Sequence, residues 1–315
     1  MIEHLVVARI VGQHARVILE RIGRGVVGAE LFHLLARVAV HVFGGYGGGD
    51  LALPARAGLD AEQVVGVAAV GIAVFLLFQI ATDDIYSQVM STVSRGIGLT
   101  VFVTLVAFFC ASLIGLLLAL ASLSGSIVLR QIARFYVEIV RGMPIIVLLL
   151  YIAFVATPLF IAGVNAILEP LGLDPLRTRD FPLLWRAVLA LTIGYSAFIA
   201  EVFRAGIQAV DKGQIEAAEA LGMNGWLRFR LIIFPQALKT ILPPLGNDFV
   251  ALIKDSSLVS VLGVADITQL GKVYAAGSFR YFETYNVVAL IYLMMTITLS
   301  LALRKFERTK QIQER

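Results

Sequence analysis

The residues able to do chemistry are few and stand apart. Glu201 and Arg204 are three positions apart in an otherwise apolar stretch, a spacing that brings both to one face of a helix. Such a pair either neutralises itself near a membrane surface or meets a charged solute. Farther on, Asn247, Ala251 and Lys254 share a helical face, and Asp255 follows directly. Together they offer both signs of charge, as recognition of a zwitterion requires. A third concentration of charge is DKGQIEAAEALGM, Asp211–Met223, set between apolar blocks. Hydrolytic and metal chemistry find no footing. There is no G-x-x-x-x-G-K-[ST] loop, no H-E-x-x-H and no Ser-His-Asp order. His4, His14, His33 and His41 gather near the start at no ligand spacing, and the one cysteine, Cys110, lies in an apolar block. The chain is therefore expected to hold no catalytic residue, no metal and no cofactor. Energy for work on a solute would come from an ion gradient or a partner.

The elements that position these residues are membrane helices. Of 315 residues, 59% are hydrophobic and 15% charged, against about a quarter charged in soluble domains. Crossing a bilayer takes roughly 20 apolar residues. Val64–Ile80, Ile97–Ala121, Ile145–Leu168, Ala187–Ala200 and its continuation, Leu231–Leu262, and Asn286–Leu303 give six spans. The fold class is all-α, a polytopic α-helical membrane protein. Pro243 and Pro244 are expected to break the fifth span, since neither supplies an N–H and both rings crowd the preceding turn. Basic side chains mark the cytoplasmic side. They crowd residues 1–63, Arg130 to Arg141, Lys212 to Arg230 and the tail over 304–315, which all fall inside if both termini are cytoplasmic. The net charge of +4 thus reads as topology, and no basic stripe with interleaved aromatics points to nucleic acid. Leu31–Phe43 is too short to span and reads as a surface helix. Gly44–Asp50, GGYGGGD, reads as a linker.

The charged segment is a short helix. Asp211 with Gln214 resembles a capping box, and Gly222 is a natural stop. About ten residues are too few to hold a helix alone in water. Gln214, Ala217, Ala218 and Leu221 fall on one small, shallow face; Lys212, Glu216 and Glu219 fall on the other. A surface of that kind gains stability by docking, and it admits a close neighbour.

The residues that follow carry a resemblance. Glu216-Ala217-Ala218, three residues, Gly222, nine residues, Ile232, one residue, then Phe234-Pro235 is similar to the E-A-A-x3-G-x9-I-x-L-P loop of binding-protein-dependent ABC importer permeases. Phe234 departs from the usual Leu. EVFRAGIQAVDKGQIEAA, PQALKTILPPLGNDF and LIKDSSLVSVLGVADIT resemble the polar amino-acid uptake branch, the histidine and glutamine permeases. VRGMPIIVLLLY resembles its R-G-T-P segment, with Met143 in place of Thr; Ser256 likewise stands where Thr is usual. The likeness covers residues 92–303.

The resemblance implies a type I ABC importer transmembrane domain over 92–303, with a cytoplasmic coupling loop over 211–235. Residues 1–63 would be an Arg-rich cytoplasmic extension and 64–80 an additional span. In this family the EAA helix seats in a cleft of a cytoplasmic ATPase dimer, which holds the ATP and Mg. Gln214, Glu216, Ala217, Ala218, Leu221 and Gly222 would make that joint. A second permease subunit, the same or homologous, an extracytoplasmic amino-acid-binding protein, membrane lipid and a polar amino acid would be the other partners, in a bacterial inner membrane. Glu201 and Arg204 line the path or form a structural ion pair; Asn247, Lys254 and Asp255 meet substrate or pair with the other permease. Two alternatives stand beside this: an ion-coupled secondary transporter, which usually shows an inverted repeat, and a membrane scaffold.

Overall fold

The computed structural model describes residues 71, 73 and 75–312, with side chains to residue 305. The chain divides into two compact units, Met1–Asp83 and Asp84–Arg315. In the first, residues 75–82 are helical. The expected extension over 1–63, with its histidines, surface helix and linker, and most of the expected span over Val64–Ile80 lie outside the described residues.

Every regular element among the described residues of the second unit is a helix. Helix α1 (Asp84–Val93) runs through a 3-10 turn into α2 (Ile97–Leu123), and α3 (Ile127–Arg141) follows a tight turn. Helix α4 (Ile145–Tyr151) continues through a π turn (Ile152–Ala156) into α5 (Thr157–Leu168). Helix α6 (Leu183–Gln208) leads to the short α7 (Lys212–Ala220) and α8 (Gly225–Arg228). A second π turn (Phe229–Ile233) enters α9 (Phe234–Asp255), and α10 (Ile267–Ser278) and α11 (Tyr281–Ile312) complete the chain. Among the described residues four stretches are long and apolar enough to cross a membrane: Asp84–Leu123, Ile145–Leu171, Leu183–Gln208 and Tyr281–Lys305. They contain four of the expected spans. The fifth is α9, whose 22 residues reach about 33 Å and which is more polar than the other four, with Lys239, Asn247, Asp248, Lys254 and Asp255 along it.

Helix α9 corrects one expectation. It runs straight through Pro243 and Pro244 instead of breaking. A proline inside a helix costs roughly 3 kcal/mol in water. Unwinding inside lipid would strand additional N–H and C=O groups at several kcal/mol each, so the helix tolerates two missing donors to avoid losing more.

Helix α6 is the central element, with α2, α3, α4 and α9 packed around it. Both of its faces are covered: Gly194 and Ala197 on one, Ile199 on the other, are buried. The closest packing is with α2, where Ala107, Ala111, Gly115 and Ala119 recur every fourth residue and are buried. A Cβ on Gly115 would stand 2.9 Å from Ile199 Cγ2 and 3.1 Å from the Ala200 nitrogen. The opposite face of α2 exposes Phe102, Leu105, Phe109, Leu113 and Leu117. The helices run parallel, with Phe102 meeting Trp185 edge-on near one end at 6.0 Å. Lipid is as apolar as these side chains, so van der Waals contact, not water exclusion, holds the seam.

The start of α6 is tied down by Arg186, which is buried and makes no ion pair among the described residues. Its Nη1 donates to the Ala153 carbonyl at 2.9 Å and its Nε to the Phe181 carbonyl at 2.8 Å; Nη2 donates to the Thr178 carbonyl. The wider π turn is thereby pinned to α6.

The seam gives a direct test. Gly115→Leu should lower the thermal midpoint of the purified protein by the equivalent of about 1–3 kcal/mol, the usual cost of overpacking. Gly125→Ala, at a turn with nothing within 4 Å, should leave it unchanged. Equal midpoints for the two variants would show that the seam is not close-packed.

Candidate functional site

Helix α7 is built as its sequence reads. The Asp211 carboxylate accepts the Gln214 N–H at 3.2 Å, the forward half of the expected capping box. At the other end Gly222 has φ +74°, which only glycine adopts without strain. Gly222 N–H donates to the Glu219 carbonyl at 2.9 Å and Met223 N–H to the Ala218 carbonyl at 3.1 Å. This is the Schellman closure.

The small face divides in two. Ala218 is buried, and the helix packs on α8 and on the turn over Phe229–Ile233. Ile215, partly buried beside Val210, Ala237 and Ile241, joins it. These residues seat the helix on its own chain. Gln214, Glu216, Ala217, Leu221 and Gly222 remain exposed, Leu221 at 79%. Ala218 therefore belongs to the seat and not to the outward surface, because a helix this short needs a tertiary anchor to persist. The sequence reading missed two neighbours. Arg228 makes an ion pair with Glu219, nine residues away and across a turn, so no helical periodicity reveals it. Trp226 is 70% exposed. Its signal is a large aromatic in a polar loop.

Glu201 and Arg204 pair as their spacing implies. Arg204 Nη2 lies 2.5 Å from Glu201 Oε2 with both side chains about one-third exposed, at 33% and 31%. Arg204 Nη1 also donates to Gln208 Oε1 at 2.9 Å. Nearby, Arg141 lies over the Phe198 ring, 5.6 Å from its centroid.

Of the α9 residues, Asn247 and Lys254 are exposed and Asp255 is partly buried. Asp255 Oδ2 accepts the hydroxyl of buried Tyr195 at 2.7 Å. One oxygen of Asp248 is buried with no hydrogen-bond partner. Asp248 was overlooked, although its seven-residue separation from Asp255 puts both on one face. The expected residues thus form two groups, the Glu201–Arg204 pair on α6 and the α9 face, with Tyr195 bridging the helices.

The chain resembles known proteins over most of its length. Residues 111–309 match the model of the family described as binding-protein-dependent transport system inner membrane component. The glutamine transport system permease protein GlnP of Escherichia coli K12 is 35% identical over 218 residues, 69% of this chain and 92% of that protein. The probable amino-acid permease protein YxeN of Bacillus subtilis is 35% identical over 217 residues, 69% of this chain and 90% of the other. Among solved structures, an amino acid ABC transporter with histidines is 38% identical, with a TM-score of 0.58 over 71% of this chain and 95% of that one. The MetNI methionine ABC transporter in an inward-facing form shares the fold at 22% identity and a TM-score of 0.55.

The ion pair on α6 predicts a double-mutant signature. Both side chains are one-third exposed, so each of Glu201→Gln and Arg204→Gln should destabilise the protein by only about 1 kcal/mol. The double substitution should cost less than the sum of the two. Strict additivity in thermal denaturation would show that the pair carries no coupling. Selective loss of uptake of basic amino acids in a fully stable Glu201→Gln protein would assign Glu201 to substrate instead.

Proposed function

Because the chain belongs to the family of binding-protein-dependent transport system inner membrane components, the permease subunits of ABC importers, we propose that it carries a polar amino acid across the inner membrane. As a permease it is a multi-pass membrane protein and a transport component, with ATP hydrolysis on a separate subunit. Family membership brings an ATPase and a substrate-binding protein as partners. The ion-coupled transporter and the scaffold give way to this assignment. Two relatives named as glutamine and amino-acid permeases support the substrate class.

The observation that carries the mechanism is the split face of α7. One side is fixed to the chain through Ala218 and Ile215, while Gln214, Ala217 and Leu221 point away. A partner pressing on the outward side moves a seated body rather than a loose loop. The Glu219–Arg228 pair and the π turn link that body to α9. In our reading the partner is a cytoplasmic ATPase dimer with ATP and Mg bound in it, and its closure shifts α9 against α6 to alternate access.

A second permease subunit, identical or homologous, covers the α9 face. Asn247 and Lys254 are exposed there beside Pro243 and Pro244, and a lysine facing acyl chains inside a span is costly. A water-filled path between two permeases gives these groups a polar neighbour. Asp248, Asp255 and Arg141 offer the signs that an amino acid's ammonium and carboxylate need, with Glu201 and Arg204 toward the cytoplasmic end. An extracytoplasmic amino-acid-binding protein delivers the solute. Residues 1–63 and the tail over 304–315 are cytoplasmic, 64–80 is an additional span, and 92–303 is the transport domain with its coupling loop over 211–235.

Two experiments test this. Ala217→Arg and Leu221→Asp place charge on the outward face and should weaken ATPase docking by about 2 kcal/mol, roughly thirtyfold. Substrate-stimulated ATP hydrolysis of the reconstituted complex should fall to the unstimulated rate; stimulation at the normal level in both variants would refute docking on this face. For orientation, single cysteines at Gly48 and Leu173 in a Cys110→Ala background are treated with an impermeant thiol reagent on intact cells. Leu173→Cys should label and Gly48→Cys should not; the reverse pattern would invert the topology.

A further inference from the structure

A cavity of about 440 Å³ lies between the α4–α5 rod and the first half of α6. It is at the end of α6 remote from α7. Ile152, Ala156, Phe160, Leu189 and Ile193 form its body, and Arg177 and Asp180 stand at one end. The π turn over Ile152–Ala156 supplies one wall, held to α6 by Arg186. Phe160 and Leu189 at its edges are 71% and 41% exposed, so the cavity opens on the apolar side of the bundle. Leu189 and Ile193 precede Glu201 by twelve and eight residues, about 18 and 12 Å along the helix axis, and Tyr195, which meets Asp255, is turned about 200° round from Ile193. The cavity is therefore separate from the polar face assigned to the path, and its lining offers an amino acid no partner along most of its length.

We propose that this cavity holds one acyl chain of an anionic glycerophospholipid, with the lipid phosphate at Arg177. Shape and polarity set the first half of the assignment. A slot that is apolar along its body and ionic at one end, opening sideways from a membrane bundle, matches an amphiphile lying along the helix axis. Charge sets the second half. The Arg177 side chain makes no ion pair among the described residues, while one Asp180 oxygen is already taken by the Arg177 backbone N–H at 2.8 Å. Arg186, buried behind Phe181 with carbonyl partners alone, adds a second unneutralised cation. Two arginines against the single Asp180 carboxylate leave this end net cationic, which favours a headgroup with net negative charge over a zwitterionic one. The bound chain fills space that the π turn keeps open and braces the α4–α5 rod against α6.

The test is lipid retention by the intact permease–ATPase complex, purified from membranes containing phosphatidylglycerol and phosphatidylethanolamine and read by native mass spectrometry. Wild type should retain phosphatidylglycerol in preference. Arg177→Gln should lower that preference about fivefold, the contribution of one basic side chain at an anionic surface. Leu189→Trp, at an exposed position where folding is not at risk, should block entry and abolish retention of either lipid. Substrate-stimulated ATP hydrolysis should persist in Arg177→Gln, which separates this site from the transport path. Unchanged retention in Leu189→Trp, or unchanged headgroup preference in Arg177→Gln, would overturn the proposal. So would disulfide cross-linking of Phe160→Cys between two permease chains, which would give the face to a second copy.

Discussion

Everything in this bundle hangs on how closely two helix backbones approach each other in α2 and α6. In lipid no hydrophobic force drives helices together, so contact area must come from proximity. Ala107, Ala111, Gly115 and Ala119 remove side-chain bulk along one line of α2, and α6 settles into it. With α6 held there, α3, α4 and α9 find fixed surfaces. Tyr136 shows how specific the result is, with its hydroxyl donating to the Ile193 carbonyl at 3.2 Å and meeting Ser196 Oγ at 2.8 Å. Polar groups of this kind are satisfied between helices because the seam has already set the distance.

The same logic of seat before surface governs α7. A nine-residue helix has little stability of its own, and its left-handed closure at Gly222 fixes where it ends but not where it lies. Burying Ala218 and half-burying Ile215 fixes that. What remains exposed is therefore oriented as well as accessible. A motif read only as a docking surface hides this division of labour, since both halves of the face are made of small or apolar residues.

The helical class, four of the described spans and the loop carrying α7 were legible because each rests on local pattern: length of apolar run, a cap residue, a glycine stop. The Glu201–Arg204 pair was legible for the same reason, being three residues apart on one helix. What escaped is what depends on chain segments meeting. The Glu219–Arg228 pair crosses a turn, and the Tyr195–Asp255 bond joins residues sixty positions apart. The two π turns insert a residue into helices whose composition looks regular. The small-residue seam was present in the sequence as a four-residue repeat, but its partner was not. Pro243 and Pro244 misled through a rule calibrated in water, where unwound backbone finds hydrogen bonds that a bilayer does not offer.

Those two prolines leave α9 continuous but short of two neighbouring braces. A rod with a weakened mid-section has high bending compliance at one place and stiffness on either side. Displacement applied near Phe234 is then partly absorbed at Pro243 and Pro244, and the segment reaching Asp255 turns through a smaller angle than the one it receives. Such a rod acts as a reducing linkage: a large displacement at the Phe234 end becomes a smaller one where Tyr195 meets Asp255. Stiffening that point would pass the whole displacement from one end of α9 to the other.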